Sequence, residues 1–215
     1  MYSTLKLIAK KLLRPLIYRF PPVMIWPHRL YIWLDVLSRT KNLSGDVVEV
    51  GCYLGGTAAL SVKMLDAIGS DRPYTVIDTF SGFDEGQFKN EVRLGANKRL
   101  ESEFSSNSPE LTRWVLNRHG GNRVKIVQGD ITKITDDQIP KRISACLLDV
   151  DLEAPIYEGL KRLYPRLVTG GVIAVDDCDN YEGGYKAKIG YERFMAENGF
   201  TPEYKYGMGL ITKLS

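Results

Sequence analysis

Four aspartates end two hydrophobic segments of the sequence and could together bind a metal ion. Asp149 and Asp151 lie at the end of the first segment, and Asp176 and Asp177 end the second. If both segments are neighbouring parallel strands, their carboxyl ends bring Asp149, Asp176 and Asp177 together. With no Lys or Arg expected nearby, these carboxylates repel each other, and a cation that prefers oxygen ligands would relieve the repulsion. The alternative is that these aspartates cap helices or lie in solvated turns.

The composition favours Mg²⁺ or Mn²⁺ over zinc at such a site. The chain has only two His and three Cys, and the cysteines show no zinc-ligand spacing. Cys146 and Cys178 lie in strand-like segments, which predicts small buried side chains in a reducing compartment. The sequence does not distinguish Mg²⁺ from Mn²⁺, since both occupy octahedral oxygen sites.

A glycine-rich turn after an earlier hydrophobic segment could bind a small anion. It runs from Glu49 to Thr57 and contains Gly51, Tyr53 and Gly55. Glycine lets the backbone approach a ligand closely, and the N-terminus of the following helix favours a carboxylate or phosphate. The turn lacks the Lys of a phosphate-binding loop, and Tyr53 stands where a dinucleotide-binding turn needs glycine, so an amino-acid carboxylate fits better. The alternative is a tight turn between strand and helix with no ligand.

Two further strand ends carry acidic residues that suit a nucleoside. Asp78 ends the second hydrophobic segment, where an acidic side chain can accept hydrogen bonds from two ribose hydroxyls. Gly129 and Asp130 end the third segment and would border an adenine. An ordinary turn at residues 129–130 remains the alternative.

These residues need a scaffold that places several strand ends together, and the hydrophobic pattern supplies one. From residue 46 onward strand-like and helix-like segments alternate. This alternation predicts a Rossmann-like α/β fold, a mainly parallel sheet with helices on both faces, which binds ligands at the carboxyl ends of its strands. The predicted strands are 46–50, 74–78, 124–127, 143–150, 172–175 and 210–213. The predicted helices are 57–68, 93–104, 110–118, 155–167 and 188–198.

The first 40 residues differ from the rest, and we predict two parts, a basic helical N-terminal extension at 1–40 and one α/β domain at 41–215. The apolar spacing within 1–20 fits an amphipathic helix with a basic polar face, and a second helix is predicted at 28–39. One interpretation is a peripheral membrane anchor formed by residues 1–20. The other is a helix that packs on the α/β domain or on a second subunit.

Charge and hydropathy limit the classes of function. A formal charge of +3 over 215 residues does not call for a nucleic-acid partner. No apolar stretch is long enough to span a bilayer, and Lys and Arg interrupt the N-terminal apolar residues, so no signal peptide is expected. We expect a cytoplasmic protein that forms a homo-oligomer, with peripheral membrane contact as the open alternative.

The turn, Asp78, residues 129–130 and the two acidic pairs follow one another in an order that resembles S-adenosylmethionine (SAM) dependent O-methyltransferases. The likeness covers residues 46–215 and is to the macrocin O-methyltransferase (TylF/MycF-like) family, which methylates sugar hydroxyls. It implies a class I methyltransferase acting on a hydroxyl of a sugar, glycoside or other small molecule. It also implies the SAM contacts: Glu49 and Gly51 along the methionine portion, Tyr53 and Thr57 at its carboxylate, Asp78 at the ribose, and Gly129 and Asp130 at the adenine. Gly55 of the same turn is also predicted to bind the cofactor.

The resemblance also assigns the acidic pairs. It implies a metal ion bound by Asp149, Asp176 and Asp177, and a catalytic base at Asp151, although the sequence leaves open whether Asp151 is instead a metal contact. Catechol O-methyltransferase, a looser likeness, has a lysine three residues after its first metal aspartate; here that residue is Leu152.

The acceptor side is specified less well. The family pattern has an aromatic and a hydroxyl residue where this chain has Glu153 and Pro155. We expect residues 81–107 and 178–188 to wall the acceptor site, with the second segment closing as a mobile loop. Trp114 and Tyr185 could stack on a sugar or aromatic ring, although simple packing is the alternative for each.

Three other functions stay open. A relative with the same fold could bind SAM and metal as a hydroxylase or oxidoreductase, or bind SAM without catalysis. A nicotinamide-dependent dehydrogenase shares the fold, but Tyr53 argues against its dinucleotide. SAM binding tested against NAD binding distinguishes the dehydrogenase from the others.

Overall fold

The computed structural model describes residues 13–214, in which a seven-stranded sheet has the strand order β3-β2-β1-β4-β5-β7-β6. Strands β1 to β5 are parallel, β7 runs antiparallel to β5, and β6 runs antiparallel to β7. The predicted Rossmann-like α/β fold is confirmed. The strands are β1 Asp46–Val50, β2 Tyr74–Asp78, β3 Lys125–Gln128, β4 Ile143–Leu148, β5 Leu167–Val175, β6 Glu203–Lys205 and β7 Met208–Thr212.

Helices cover both faces of the sheet. They are α1 Pro27–Arg39, α2 Gly56–Ala67, α3 Glu85–Arg93, α4 Pro109–Arg118, α5 Glu153–Leu163 and α6 Ala187–Glu197, with 3₁₀ turns at 98–102, 136–138 and 164–166. Residues 13–17 are also helical. The remainder of the amphipathic helix predicted within residues 1–20 lies mainly outside the described residues. No helix within residues 13–214 is long and apolar enough to cross a membrane.

Alternating side chains of the strands enter two separate hydrophobic cores. On one face, strand residues such as Val48 and Ile173 pack with α5 and α6, whose Leu160 and Phe194 are buried. On the other face, Val47 and its neighbours pack with α1 and α2. Because both faces are covered, the central strands are mostly apolar, as parallel sheets require, with Glu49 of β1 and Ser144 of β4 as buried polar exceptions.

Helix α1 belongs to the second core although the sequence placed it in an extension. Trp33 is fully buried, and its Nε1 donates a hydrogen bond to Ser61 Oγ of α2 at 2.8 Å. The buried guanidinium of Arg72 donates to the carbonyl oxygens of Leu37 and Thr40, which end α1 without helical partners. These contacts with α2 and with Arg72 therefore fix the position of α1 on the domain.

Two helix predictions were wrong because end signals were missed. The helix expected at 93–104 instead runs from Glu85 to Arg93, since the side chain of Asp84 accepts hydrogen bonds from the amides of residues 86 and 87 and starts it there. The helix expected to reach residue 167 ends at Leu163, where Pro165 forces a 3₁₀ turn. Strand β5 then begins at Leu167, five residues before its predicted start.

The C-terminal hairpin of β6 and β7 was only half predicted. Residues Tyr206 and Gly207 form its two-residue turn, and both have positive φ, as tight hairpin turns require. The Tyr-Gly pair is a weak turn signal, so the three-residue strand β6 was not expected.

Close backbone packing at the start of the β1–α2 turn brings β1 and β4 together at their carboxyl ends. Gly51 has a φ of +88°, and a Cβ there would lie 1.7 Å from the carbonyl oxygen of Asp149. Only glycine can occupy this position without moving the backbone. The turn after β1 is thereby held directly against the first acidic pair.

Candidate active site

A cavity of about 280 Å³ opens at the carboxyl edge of the parallel strands. Its walls come from the turn after β1, from the ends of β2 to β5, and from residues 22–29 before and within α1. Ten of the twelve residues predicted for the site line it: Gly51, Tyr53, Thr57, Asp78, Gly129, Asp130, Asp149, Asp151, Asp176 and Asp177. Glu49 and Gly55 are not among the lining residues.

Asp78 is fixed at the bottom of the glycine-rich turn. Its Oδ2 accepts a hydrogen bond from the amide of Tyr53 at 2.8 Å, and its Oδ1 accepts one from the amide of Phe80 at 2.7 Å. Each carboxylate oxygen retains a second lone pair for another donor. The arrangement is compatible with acceptance of ribose hydroxyls by a carboxylate whose orientation is already set.

Asp130 is held in a similar way on the other side. Its Oδ1 accepts from the amide and hydroxyl of Thr132, both at 2.8 Å, and its Oδ2 accepts from Gln87 Nε2 at 3.0 Å. Gln87 lies on α3 and itself lines the cavity. A helix that the sequence misplaced therefore helps to form the wall next to residues 129–130.

Glu49 and Gly55 lie behind the cavity wall. Glu49 is 1 % exposed and accepts a hydrogen bond from the hydroxyl of Tyr74. Burial, opposed in part by this bond, raises the pKa of the Glu49 carboxyl to about 8. Gly55 faces α4, where a Cβ would lie 3.1 Å from Thr112. Both residues support the turn from below.

The raised pKa of Glu49 predicts how stability changes with pH. The folded protein holds the proton to about pH 8, whereas the unfolded chain releases it near pH 4.5, so this carboxyl costs stability increasingly as pH rises between those values. Glu49→Gln mimics the protonated form and keeps the Tyr74 bond. We expect it to be more stable than the wild type by roughly 3 to 5 kcal/mol at pH 9, and equal at pH 4. Urea unfolding at both pH values measures this, and an equal difference at both would contradict it.

The carboxylates of Asp149, Asp151 and Asp177 converge to a cluster whose oxygen atoms all lie within 4.8 Å of one another. Burial, followed by the charges of neighbouring aspartates, raises the pKa values of Asp149 and Asp151 well above the usual range. One oxygen from each residue is counted in this limit; oxygens around one Mg²⁺ at about 2.1 Å are separated by roughly 3 to 4 Å, so small side-chain movements would bring these three carboxylates around a hard divalent cation.

A basic side chain lies beside this cluster, contrary to expectation. Arg29 of α1 is 4 % exposed and pairs with three carboxylates at once. Its Nη1 lies 3.1 Å from Asp176 Oδ1 and also contacts Asp177, while its Nη2 contacts Asp179. Asp176, a predicted metal ligand, thus pairs with a guanidinium and lies outside the converging cluster of three.

Aromatic rings line the cavity next to the glycine-rich turn, where the ring centroid of Phe104 lies 5.3 Å from that of Tyr53. Phe83, Phe104 and Tyr185 all line it, and their ring centroids lie 5.7 to 6.5 Å apart. They come from the two segments that were expected to wall the acceptor site. Trp114 lies elsewhere: it packs against Tyr18, with its ring centroid 6.3 Å from that ring.

The two departures from the family pattern have different positions. Pro155 lines the cavity next to Leu152. Glu153 does not; its carboxylate lies 3.4 Å from Arg193, and its amide donates to the buried carboxylate of Glu91. Only the change at residue 155 therefore alters the shape of the cavity.

Sequence reasoning missed Arg29, Gln87, Phe83 and Phe104. Arg29 was one basic residue among several in a segment interpreted as an extension, so no local signal marked it. Gln87 lies on the helix that the overlooked Asp84 cap begins, and Phe83 directly precedes that cap; both are within the predicted wall 81–107 but were not singled out. Phe104 was within the predicted acceptor wall but was not singled out.

The sequence was compared with known protein families, curated proteins and solved structures. The family model described as macrocin-O-methyltransferase (TylF) matches residues 23–203. The chain belongs to this family. It is therefore a SAM-dependent O-methyltransferase, and the expectation from the resemblance is confirmed. The match begins before α1, so Arg29 lies within the part shared with the family.

Individual relatives are more distant. One is an 8-demethyl-8-(2,3-dimethoxy-alpha-L-rhamnosyl)-tetracenomycin-C 4'-O-methyltransferase of Streptomyces olivaceus, 25% identical and covering 88% of this chain and 87% of its own. Another is the demethyldecarbamoylnovobiocin O-methyltransferase of Streptomyces niveus, 26% identical over 72% of this chain and 62% of its own.

Solved structures agree on the fold. The O-methyltransferase NovP has a TM-score of 0.75 at 22% identity, covering 90% of this TylF-family chain and 82% of its own. The calicheamicin methyltransferase CalS11 has a TM-score of 0.70 at 18% identity, covering 85% and 77%. At these identities the likeness concerns the class I methyltransferase fold.

Proposed function

We propose that this protein methylates a hydroxyl group of a sugar or glycoside, with SAM as the methyl donor and a divalent cation bound beside the acceptor. The observation that supports this most is the convergence of Asp149, Asp151 and Asp177 next to an aromatic wall within a single cavity. One part of the cavity suits a nucleoside and the adjoining part suits a ring bearing hydroxyls.

The cofactor half would act through groups that are already oriented. Asp78 would accept hydrogen bonds from the ribose, and the turn at Tyr53 and Thr57 would hold the methionine carboxylate at the start of α2. Bound SAM would supply a methyl group on a sulfonium; an acceptor oxygen would attack that methyl carbon in line, and S-adenosylhomocysteine would leave. Seven aspartates and a single basic residue, Arg29, line the described part of the cavity. This excess of negative charge favours a cationic donor.

The acceptor half would bind and deprotonate a hydroxyl. A bound Mg²⁺ or Mn²⁺ would lower the pKa of that hydroxyl. Asp151 is the proposed proton acceptor. Because it belongs to the carboxylate cluster, the alternative is that it binds the cation directly. The left-handed backbone of Asp151, with φ at +63°, holds its carboxylate beside Tyr185 and Asp149.

The sugar is proposed on two grounds. The faces of Phe83, Phe104 and Tyr185 offer apolar surface for the C–H face of a pyranose. The two curated relatives are named as methyltransferases of a rhamnosyl-tetracenomycin and of demethyldecarbamoylnovobiocin. Pro155 lines the cavity where the family pattern has a hydroxyl residue, so the acceptor pocket of this chain differs from that pattern. A screen is therefore needed to identify the specific glycoside.

The cofactor site is tested by titration of the metal-stripped protein with S-adenosylhomocysteine. We expect binding without metal, and about 100-fold weaker binding for Asp78→Ala, because two charge-assisted hydrogen bonds to the ribose are lost. Asp71→Ala, an exposed aspartate of the loop before β2, is the matched control and should bind like the wild type. Failure of the wild type to bind would refute the methyl-donor site.

The reaction is tested by incubation with SAM and Mg²⁺ against a panel of rhamnosides and nucleotide-activated sugars, with mass spectrometry of the products. We expect methylation that stops when EDTA is added. Turnover that resists EDTA would contradict the metal requirement while leaving the methyl transfer intact. Binding of S-adenosylhomocysteine without any methylated sugar would contradict the sugar acceptor.

A further inference from the structure

Exposed apolar side chains are concentrated on the N-terminal segment, next to the mouth of the cavity. Along residues 13–26, six large apolar side chains are exposed, by 49 to 75 %. Such a concentration on a folded protein marks a surface that contacts something else. The six side chains, called here the apolar ridge, are Leu13, Leu16, Ile17, Phe20, Met24 and Trp26.

The ridge faces outward because the other side of the segment is fixed to the protein. Tyr18 is buried against α4, its ring edge-on to Trp114. Its carbonyl oxygen accepts a hydrogen bond from Arg118 Nε at 3.3 Å and lies 3.0 Å from His119 Nε2. Arg14 stacks over Trp114 at 4.8 Å. These contacts present the ridge on one side of the segment.

The charge of this part of the chain indicates what it contacts. Residues 1–28 contain five Lys and Arg and no Asp or Glu; Arg29 is left out because it is buried against three carboxylates. The remaining residues therefore carry 24 Lys and Arg (29 less five) against 26 Asp and Glu, and are net negative. A two-fold dimer through the ridge would place two such basic segments against each other, which like charges oppose. An anionic surface attracts the segment instead.

We propose that residues 13–26 bind the surface of a bilayer that contains anionic phospholipids. Leu, Ile, Phe and Trp side chains enter the boundary between headgroups and acyl chains, while basic side chains remain among the phosphates. Trp26 suits this boundary, since tryptophan concentrates at membrane interfaces. The segment lies on the membrane and does not span it.

The position of the ridge also orients the active site. Met24 and Trp26 belong both to the ridge and to the lining of the cavity. A protein docked by the ridge thus opens its cavity toward the lipid surface. This orientation favours a glycan acceptor carried on a lipid. That inference about the acceptor rests on the proposed function, whereas the inference about membrane docking does not.

Vesicle sedimentation of the full chain, without SAM or metal, tests the docking separately from catalysis. We expect binding to phosphatidylcholine vesicles that contain phosphatidylglycerol, little binding to pure phosphatidylcholine, and weakening at high salt. Leu16→Ser with Phe20→Ser should lower the partition coefficient at least about tenfold. The matched double control is Leu214→Ser with Tyr181→Ser, whose side chains are as exposed, 78 and 77 % against 75 and 74 %. It should bind like the wild type.

Three results would overturn the proposal: no binding of the wild type to anionic vesicles, unchanged binding of the ridge variant, or equal loss in the control. If light scattering without vesicles shows a wild-type dimer that the ridge variant lacks, the surface joins two copies of the chain instead. Circular dichroism and S-adenosylhomocysteine affinity report folding. If the ridge variant misfolds, Arg19→Glu provides the test instead. We expect its partition coefficient to fall about tenfold on anionic vesicles and to stay unchanged on neutral ones.

Discussion

Replacing Asp149 with asparagine is expected to lower kcat/KM at least about a thousandfold while leaving a well-folded protein. Asp149 belongs to the three carboxylates whose oxygens converge within 4.8 Å. It is also the residue whose carbonyl packs against Gly51, and asparagine leaves this backbone contact unchanged. The substitution therefore removes one negative charge from the acceptor site and little else.

The stability of Asp149→Asn gives a second readout. Burial and the neighbouring aspartates raise the pKa of the Asp149 carboxyl well above its usual range, so the metal-free wild type must take up a proton there when it folds at neutral pH. Asparagine avoids that cost, and Asp149→Asn should therefore raise the melting temperature measured in EDTA. Mn²⁺ should raise the melting temperature of the wild type but hardly that of the variant, because binding to the folded state stabilises it. Asp137→Asn, an exposed aspartate far from the cluster in sequence, should change neither quantity. A variant that keeps a tenth of the activity would exclude Asp149 from the reaction.

The second large effect is expected at Arg29, where Arg29→Met should destabilise the metal-free protein by about 3 kcal/mol. Its guanidinium contacts Asp176, Asp177 and Asp179, and the pair with Asp176 is buried on both sides, at 5 and 6 % exposure. Methionine fills much of the volume but leaves these carboxylates without a partner. The loss should be measured by urea unfolding in EDTA at pH 7.5.

The same helix supplies the control for Arg29. Arg39 pairs with Asp35 at 2.9 Å on the exposed side of α1, and Arg39→Met should cost less than about 1 kcal/mol, as exposed ion pairs do. Added Mn²⁺ should recover more stability in Arg29→Met than in the wild type, because a cation can replace the lost positive charge. Equal losses for the two substitutions would show that the buried pair contributes no more than the exposed one.

Local patterns were sufficient to predict that the residues of the proposed cofactor half lie together. Asp78 and the turn that contains Tyr53 follow short apolar strands, and a parallel sheet must bring such strand ends together. The amide-to-carboxylate bond between these two residues was not predicted, but their proximity was. The fold could be predicted for the same reason, since the alternation of strands and helices is visible within each short window of sequence.

The environment of the acidic pairs could not be predicted in this way. Arg29 and Asp176 are 147 residues apart, and no local feature distinguishes Arg29 from its basic neighbours. Their contact depends on α1 packing across the sheet through Trp33, a tertiary event without a signature at Arg29 itself. Likewise, Gln87 reached the cavity only because Asp84 starts α3 earlier than the apolar spacing indicated.

The turn of the C-terminal hairpin affects the order in which the parts of the acidic site form as the chain folds. A Cβ at Gly207 would meet Arg29 at 3.2 Å, and the carbonyl oxygen of Gly207 accepts the amide of Cys178 at 2.8 Å. The guanidinium and the end of β5 therefore both abut a turn encoded just before the last strand. A partly folded chain without this hairpin has all seven cavity aspartates but lacks the turn that borders Arg29. The acidic site therefore gains the border of its arginine only when the hairpin of β6 and β7 has formed.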